Sequence, residues 1–422
     1  MVKGFRFFVI LVLFCVFLTS FSFAVSKVLF WHAYSTTSGE YKVLTEKVIP
    51  DFNKLHPDIQ VVQQQVPYDT MYQKLIVGVR SGVLPDVARM DIIWVPQFAN
   101  VEILVPLDKE FATDFSFMQN DFFPGPLSTC KWKGHYYGLP LDTNTRVLLW
   151  NKKVFEEAGI QGPPKTMDEF IQYIKKLTVH KTVNGKKVDR WGFADGGLGP
   201  WNSIPWIASM GGSILNEDNT KAEGYVNSSD SIRALQTVAE LYRGGYIAPT
   251  IAGGGGLGTF EGYAEGVYAM TIAGPWSYPI LKGEYPDFTI DYAIWPTGKG
   301  GSRSVVGGED IVMFNTTKYP KAAWEFTKYM LSKKVQIEFA QVGQMSALNT
   351  LANNPEYFKI HPFFKIYSEQ LKTAVARNPV PAWQKIDNIL GNAWAQTVVG
   401  GTPAKVSLSA AAQQIEKALE SQ

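Results

Sequence analysis

Any catalysis by this chain would draw on five histidines, two cysteines and scattered carboxylates, and their spacing narrows the options. His32, His56, His135, His180 and His361 are far apart, none within ligand spacing of another, so no metal site is expected. Gly253, Gly255 and Gly258 have the spacing of the glycine fingerprint that brings a backbone close to a pyrophosphate. Ala248-Pro249-Thr250 precedes them and a glycine-broken polar stretch follows, so a loop is the better reading. Neither a P-loop nor a G-x-S-x-G elbow occurs. Asn216-Glu217-Asp218-Asn219 resembles part of a calcium loop but lacks its glycine, and reads as a solvated turn. Two carboxylates suffice to hydrolyse a glycoside, which keeps Asp91, Asp142 and Glu309 open as an exported glycosidase's pair. No pair has sequence neighbours that would raise one pKa, so no catalytic residue and no cofactor is expected.

A second constellation sets aromatic rings beside polar groups: Trp31-His32, Asp91 with Trp94, Asp142 with Asn144, Trp201, Trp276 and Trp383. A single Trp is more often core than site. Here, however, Trp31 and Asp91 end short apolar runs, while Trp201 and Trp276 follow Gly199-Pro200 and Gly274-Pro275. In open α/β sheets, ligands bind at the carboxyl ends of strands. Flat apolar faces beside carboxylate and amide acceptors suit a carbohydrate, whose C–H faces stack on indole while its hydroxyls donate. Arg89, Arg146 and Arg303 leave an acidic sugar or a non-sugar solute as an alternative, although each reads more simply as a surface charge.

Alternating strands and helices must position these groups. Val28 to Trp31, Ile59 to Val66 and Val87 to Met90 read as strands. Between them lie an amphipathic helix through Tyr41, Leu44, Val48, Phe52 and Leu55, broken near Pro50, and a second helix capped by Asp69. Further strands are expected at Tyr137 to Leu141, Arg146 to Trp150, Val267 to Ile272, Ile290 to Ile294 and Asp310 to Phe314. Helices are expected at Thr166 to Leu177, Ser229 to Tyr242, Lys321 to Leu331, Val335 to Ala340, Ile386 to Val398 and Val406 to Leu419. This order implies two α/β lobes, each a mixed sheet flanked by helices.

The first 24 residues are a separate matter. Lys3 and Arg6 precede twelve apolar residues, Phe7 to Leu18, and Ser20, Ser22 and Ala24 follow. That is the layout of a secretory signal peptide cleaved after Ala24, and twelve residues fall short of the ~20 needed to span a bilayer. Phe14 before Cys15 argues against a lipid anchor, and cleavage leaves Cys130 as the mature chain's only cysteine. The chain of 422 residues has 40 basic and 38 acidic side chains. The leader holds two of the bases and none of the acids, so the mature protein is balanced, which disfavours nucleic acid or an anionic membrane surface as partners. Seven of the 26 Phe are in the leader, but all 12 Trp lie beyond it.

Motifs along the chain resemble the extracellular sugar-binding proteins of bacterial ABC importers, in the branch that includes maltose- and maltodextrin-binding proteins. They are Phe30-Trp31-His32, Phe52-Asn53 with His56-Pro57, Ser81-Gly82 to Pro85-Asp86, Tyr137-Gly138-Leu139-Pro140, Trp150-Asn151-Lys152, Ala158-Gly159 and Pro163-Pro164-Lys165-Thr166. Gly211-Gly212, Gly274-Pro275-Trp276, Gly307-Gly308 and Ala322-Ala323-Trp324-Glu325-Phe326 complete the series. No one of them is specific; their number and order carry the likeness over essentially the whole mature chain. The resemblance implies a two-lobed periplasmic-binding-protein fold with a hinge of several chain crossings, near Asp142 to Asn144, Arg303 to Val306 and Thr350. The lobes would comprise residues 25–141 with 306–349, and 142–305 with 350–422. It further implies a monomeric periplasmic or extracellular receptor that captures a di- or oligosaccharide and serves separate permease subunits. Trp276 and Trp201 would stack on the sugar, and Glu40 and Glu309 would face the cleft. Glu40 is equally a first-turn acid favoured by the helix dipole. Asn144 replaces a carboxylate common in that family, so Asp142 would take over its role, and Trp383 is a further candidate.

Overall fold

The computed structural model describes residues 25–421 apart from 184 and 353; the expected signal peptide lies outside the described residues. The apolar run after the leader forms the strand Ser26–His32, the inner strand of a five-stranded sheet. Ile59–Gln65 and Val87–Asp91 flank it in parallel. Glu309–Met313 then adds antiparallel to Val87–Asp91, and Gly138–Pro140 antiparallel to Glu309–Met313. The first helix breaks where the proline predicts. A π-helical turn, Leu44–Val48, joins the α-helical pieces Gly39–Val43 and Ile49–Leu55, because Pro50 has no N–H to continue the ladder. Asp69 does not cap the next helix, Tyr68–Ser81. The chain enters it two residues earlier, with Pro67 at the cap position, and Asp69 lies in the first turn.

The second lobe is built on Val147–Trp150, paired antiparallel with Met270–Ala273 and Asp291–Ala293. Met270–Ala273 begins later than expected because the N–H groups of Val267 and Tyr268 both donate to the Gly262 carbonyl. Met167–Leu177 starts with a full capping box, Thr166 and Glu169 bonding each other's backbone N–H groups. Trp383–Val398 and Ala404–Glu420 pack on each other and on Ser229–Arg243. Periodicity did not predict the hairpin Val179–Val183 with Lys186–Arg190, or the helix Pro200–Ser209 with Pro205 inside it. The glycine patch follows a 3₁₀ turn, Pro249–Ala252, rather than a strand, so the frame of a phosphate loop is missing.

A small sheet joins the lobes. Val305–Gly307 pairs antiparallel with Asn144–Thr145 and parallel with Val375–Ala376. Thr350, near the expected third crossing, bonds Asp121 through both its backbone N–H and its hydroxyl. Further along, the hydroxyl of Tyr367 reaches the Ala273 carbonyl of the other sheet. The fold is therefore two α/β lobes with a hinge made of short paired strands.

Candidate functional site

Strand ends and turns from both lobes converge on a cleft of about 1650 Å³. On the first lobe, Ser38 caps the opening helix by accepting from the Tyr41 N–H at 3.2 Å, which sets Glu40 in the first turn at the cleft wall. Strand period two puts Arg89 and Asp91 on the same side of Val87–Asp91. Glu309 opens the neighbouring strand opposite Asp91. The Arg89 guanidinium lies 2.6 Å from Glu309 Oε2 and 3.2 Å from Asp142 Oδ2, and stacks over the Tyr34 ring at 4.3 Å. Burial pushes the Glu309 carboxyl well above the ordinary range; Arg89 opposes that rise and Asp142 adds to it. Burial also disfavours the charge of Arg89, but Glu309, Tyr34 and Asp142 outweigh it, and its pKa rises.

A second arginine enters from the hinge. Arg377 follows Val375–Ala376, and its Nη2 donates to Asp91 Oδ1 at 3.0 Å. The same oxygen accepts from the Ile93 N–H at 3.0 Å, and Asp91 Oδ2 accepts from the Tyr68 hydroxyl at 2.5 Å. The guanidinium of Arg377 lies over Trp201, 5.1 Å from the ring centre. Asp387, in the helix Trp383–Val398, lines the same wall. Burial pushes its carboxyl up to about 6, with Arg377 pulling it down and Asp91 pushing it further up. One residue pair beyond, Trp94 Nε1 donates to Gln384 Oε1 at 3.2 Å. Asp91–Arg377 and Trp94–Gln384 thus join the first lobe to segments beyond the hinge.

Trp201 and Trp276 stand together, ring centres 5.9 Å apart and tilted by 33°. Two glycines make room for them. A Cβ on Gly307 would lie 2.6 Å from the Trp201 ring, and one on Gly274 would fall within the Trp276 ring.

Of the residues singled out in the sequence, Glu40, Asp91, Trp94, Asn144, Trp201, Trp276 and Glu309 line the cleft. The other four lie behind its wall. Trp31 is buried beneath the ammonium of Lys74, 4.2 Å from its ring. His32 is buried against Gln63 Oε1 at 2.8 Å, and burial lowers its pKa to about 4. Asp142 turns its carboxylate to Arg89 and to the Glu309 N–H, and Trp383 is wholly buried. Arg303 is a surface charge, as read. Arg89 and Arg146 are not. Arg146 is buried, with Asp195 and the carbonyls of Trp201 and Ile272 taking its donors. Sequence reading missed Tyr34, Tyr68, Tyr72, Arg377, Gln384 and Asp387 as lining residues. Gln384 and Asp387 lie three apart on one helix, a detectable spacing. Arg377 follows a two-residue strand too short to leave a pattern.

Among the described residues, no group of three or more His, Cys, Asp and Glu is placed to hold a metal ion. No helix among them is long and apolar enough to cross a membrane. The family model for bacterial extracellular solute-binding proteins matches residues 34–337. This chain belongs to that family. The solute-binding protein is 28% identical over 342 residues to the maltotriose-binding protein of Pyrococcus abyssi, covering 78% of this chain and 68% of that one. It is 25% identical over 312 residues to the sn-glycerol-3-phosphate-binding periplasmic protein of Salmonella typhimurium, covering 69% and 67%. Its fold matches an ABC transporter solute-binding protein of Thermotoga lettingae, solved with α-D-tagatose, at a TM-score of 0.80. That pair shares 24% identity, and the match covers 93% of this chain and 100% of the other.

Proposed function

We propose that this solute-binding protein captures a neutral di- or oligosaccharide between its lobes and delivers it to the permease of an ABC importer. Residues 1–24 would direct its export, and it would work as a monomer. The lobes are taken as 25–141 with 306–349, and 142–305 with 350–422. The observation that carries this reading is the pairing of charge beside stacked indoles. Each arginine in the cleft is already held by carboxylates, while Trp201 and Trp276 offer flat apolar faces. A phosphate or carboxylate ligand would need a free guanidinium; a sugar needs rings and hydroxyl acceptors. The relative named for maltotriose agrees with this, and the pairing argues against the glycerol-phosphate ligand of the other relative. The volume exceeds the roughly 300–1,000 Å³ of ordinary small-molecule pockets, which favours more than one sugar unit.

Closure supplies the mechanism. Sugar resting on one lobe completes its contacts only when the other arrives, so it shifts the open–closed equilibrium by its differential affinity. A micromolar Kd, about 8 kcal/mol, is tight enough for capture and weak enough for release. Asp91, Asp142 and Glu309 spend oxygens on arginine, tyrosine or backbone donors, which suits a binding wall better than a hydrolytic pair. The test is calorimetry and Trp fluorescence with maltose, maltotriose, arabino-oligosaccharides, uronic acids and sn-glycerol 3-phosphate. Binding restricted to neutral sugars is expected, and Trp276→Ala should weaken it at least tenfold. A protein that answers only to the anions, or to none of the panel, refutes the reading.

A further inference from the structure

The two cleft arginines are not equally secured. Arg89 is clamped by Glu309 and Asp142, and all three belong to one sheet or its immediate edge. Arg377 has a single ion pair, to Asp91, which comes from the other side of the hinge. Both partners are more than nine-tenths buried, and both line the cleft. The flat side of the Arg377 guanidinium is taken by Trp201, and its Nε is buried without a partner. A planar guanidinium stacked on an indole, its edge toward a ligand cavity, has the geometry that captures a carboxylate or phosphate. In this protein the oxygen facing that edge is Asp91 Oδ1, held in place by the Ile93 N–H, while Tyr68 holds the second oxygen.

We propose that Asp91 is the specificity-determining residue of the cleft: its carboxylate occupies the anion seat of Arg377 and so keeps the site for uncharged sugars. The inference rests on the receptor reading above and refines it. An anionic ligand must displace Asp91 from Arg377 and leave a buried carboxylate unpaired, whereas a neutral sugar leaves the pair intact. Asp91→Asn keeps the size of the side chain and an acceptor oxygen but removes the charge. Arg377 then has an open seat for a ligand's anion, with Asp387 as the remaining carboxylate nearby.

The experiment compares wild type, Asp91→Asn, Asp91→Asn with Asp387→Asn, and Asp91→Asn with Arg377→Gln. Each is titrated calorimetrically with maltotriose, trigalacturonate and sn-glycerol 3-phosphate, after a thermal melt to check folding. Asp91→Asn should bind at least one anionic probe tenfold or more tighter than wild type does, in a salt-sensitive way. The further Asp387→Asn change should increase that gain, and Arg377→Gln should abolish it. Wild type binding anions as well as Asp91→Asn does, or a folded Asp91→Asn gaining no anion affinity, overturns the inference. If wild type still binds neutral sugar in that second case, the receptor reading survives; if no protein binds any probe, both fall. A gain that persists in the Arg377→Gln background also overturns it.

Discussion

Two arginines in the cleft each sit among carboxylates, yet they answer to different parts of the fold. Arg89 and its partner Glu309 belong to adjoining strands of the first lobe's sheet, and Asp142, just past Gly138–Pro140, is tied to Glu309 by a backbone N–H given and one received. Backbone hydrogen bonds between these segments hold them together. Arg377 and Asp91 meet only because the hinge brings the segment after Val375–Ala376 against the end of Val87–Asp91. The same ion chemistry therefore lies within one sheet in one place and bridges the hinge in the other, and only the second pair would be strained by the proposed motion of the lobes. What separates them is the topology of the elements that carry the groups, since the distances are similar.

The two arginines should differ in what they contribute to stability. Arg89→Met leaves two buried carboxyls without their cation, and breaking a buried pair costs about 3–5 kcal/mol. Arg377→Met should cost less than about 2 kcal/mol, because Asp91 keeps Tyr68 and Ile93 as donors and would regain water in the proposed opening of the lobes. Urea unfolding of ligand-free protein measures both. Equal losses would mean that Asp91–Arg377 is as fixed as the Arg89 cluster.

A third buried acid sharpens the point by having no arginine at all. Asp310 follows Glu309 and faces the other side of the sheet, with Thr129 and Cys130 as its hydrogen-bonding neighbours. Burial pushes its carboxyl up to about 8, against an ordinary value near 4. The folded state therefore holds a proton that the unfolded chain has released. This raised pKa makes its contribution most favourable below about pH 4, and that contribution is lost progressively as pH rises to about 8. Asp310→Asn should remove the slope and leave the variant ~2–4 kcal/mol more stable than wild type at pH 8. Unfolding free energies at pH 5, 6.5 and 8 decide it; parallel curves for the two proteins would show that Asp310 is ionised in the fold.

How much of this was legible in the chain depends on element length. The strands Ser26–His32 and Val87–Asp91 and the capping box at Thr166 carry local signals, so each was readable to within a residue or two, along with the two-lobe order. The indole site was readable because Gly-Pro-Trp marks a turn with a ring on it, at both Trp201 and Trp276. Inward or outward direction at a strand end was not. Trp31 and His32 lie two and one residues from cleft-lining Ala33, yet both are buried. Arg89 looked like a surface charge because the acids that bury it arrive 53 and 220 residues later, at Asp142 and Glu309. The Arg377 site depends on a two-residue strand whose partner, Val305–Gly307, is remote in sequence. Long-range pairing of short segments leaves no periodicity to read.

The indoles offer a gentler test of what closure requires. Gly307 lies in a hinge strand, and an added Cβ would press on Asn144 Oδ1 across the strand pair and on the Trp201 ring over which Arg377 lies. Gly307→Ala should weaken sugar binding about tenfold, roughly 1.4 kcal/mol. It should leave the Arg89 cluster unchanged and lower the melting temperature by only a few degrees, the expected cost of about 1 kcal/mol of local overpacking. A large drop in thermal stability with no change in affinity would instead make Gly307 a folding residue of the hinge and detach Trp201 from the ligand.

The smallest effect expected is the most diagnostic of a joint that opens. Asp387 is pushed up to about 6 by burial, and the charges acting on it are Arg377, which lowers the value, and Asp91, which raises it. In the folded protein it therefore keeps its proton over a window where the unfolded chain, titrating near 4, has lost it. Its contribution is fully present below about pH 4 and disappears as pH rises through about 6. Asp387→Asn should flatten the stability profile between those limits by about 1 kcal/mol, less than the shift alone would give, because the proposed lobe opening would return the carboxyl to water. The Arg89 cluster has no such escape, so a substitution there should not acquire this dependence on closure. Repeating the Asp387→Asn comparison with saturating sugar holds the lobes shut. If the pH slope of wild type steepens with ligand and that of the variant does not, Asp387 is buried by closure. If ligand leaves both slopes unchanged, the carboxyl is buried in the open form too, and the second cluster is as permanent as the first.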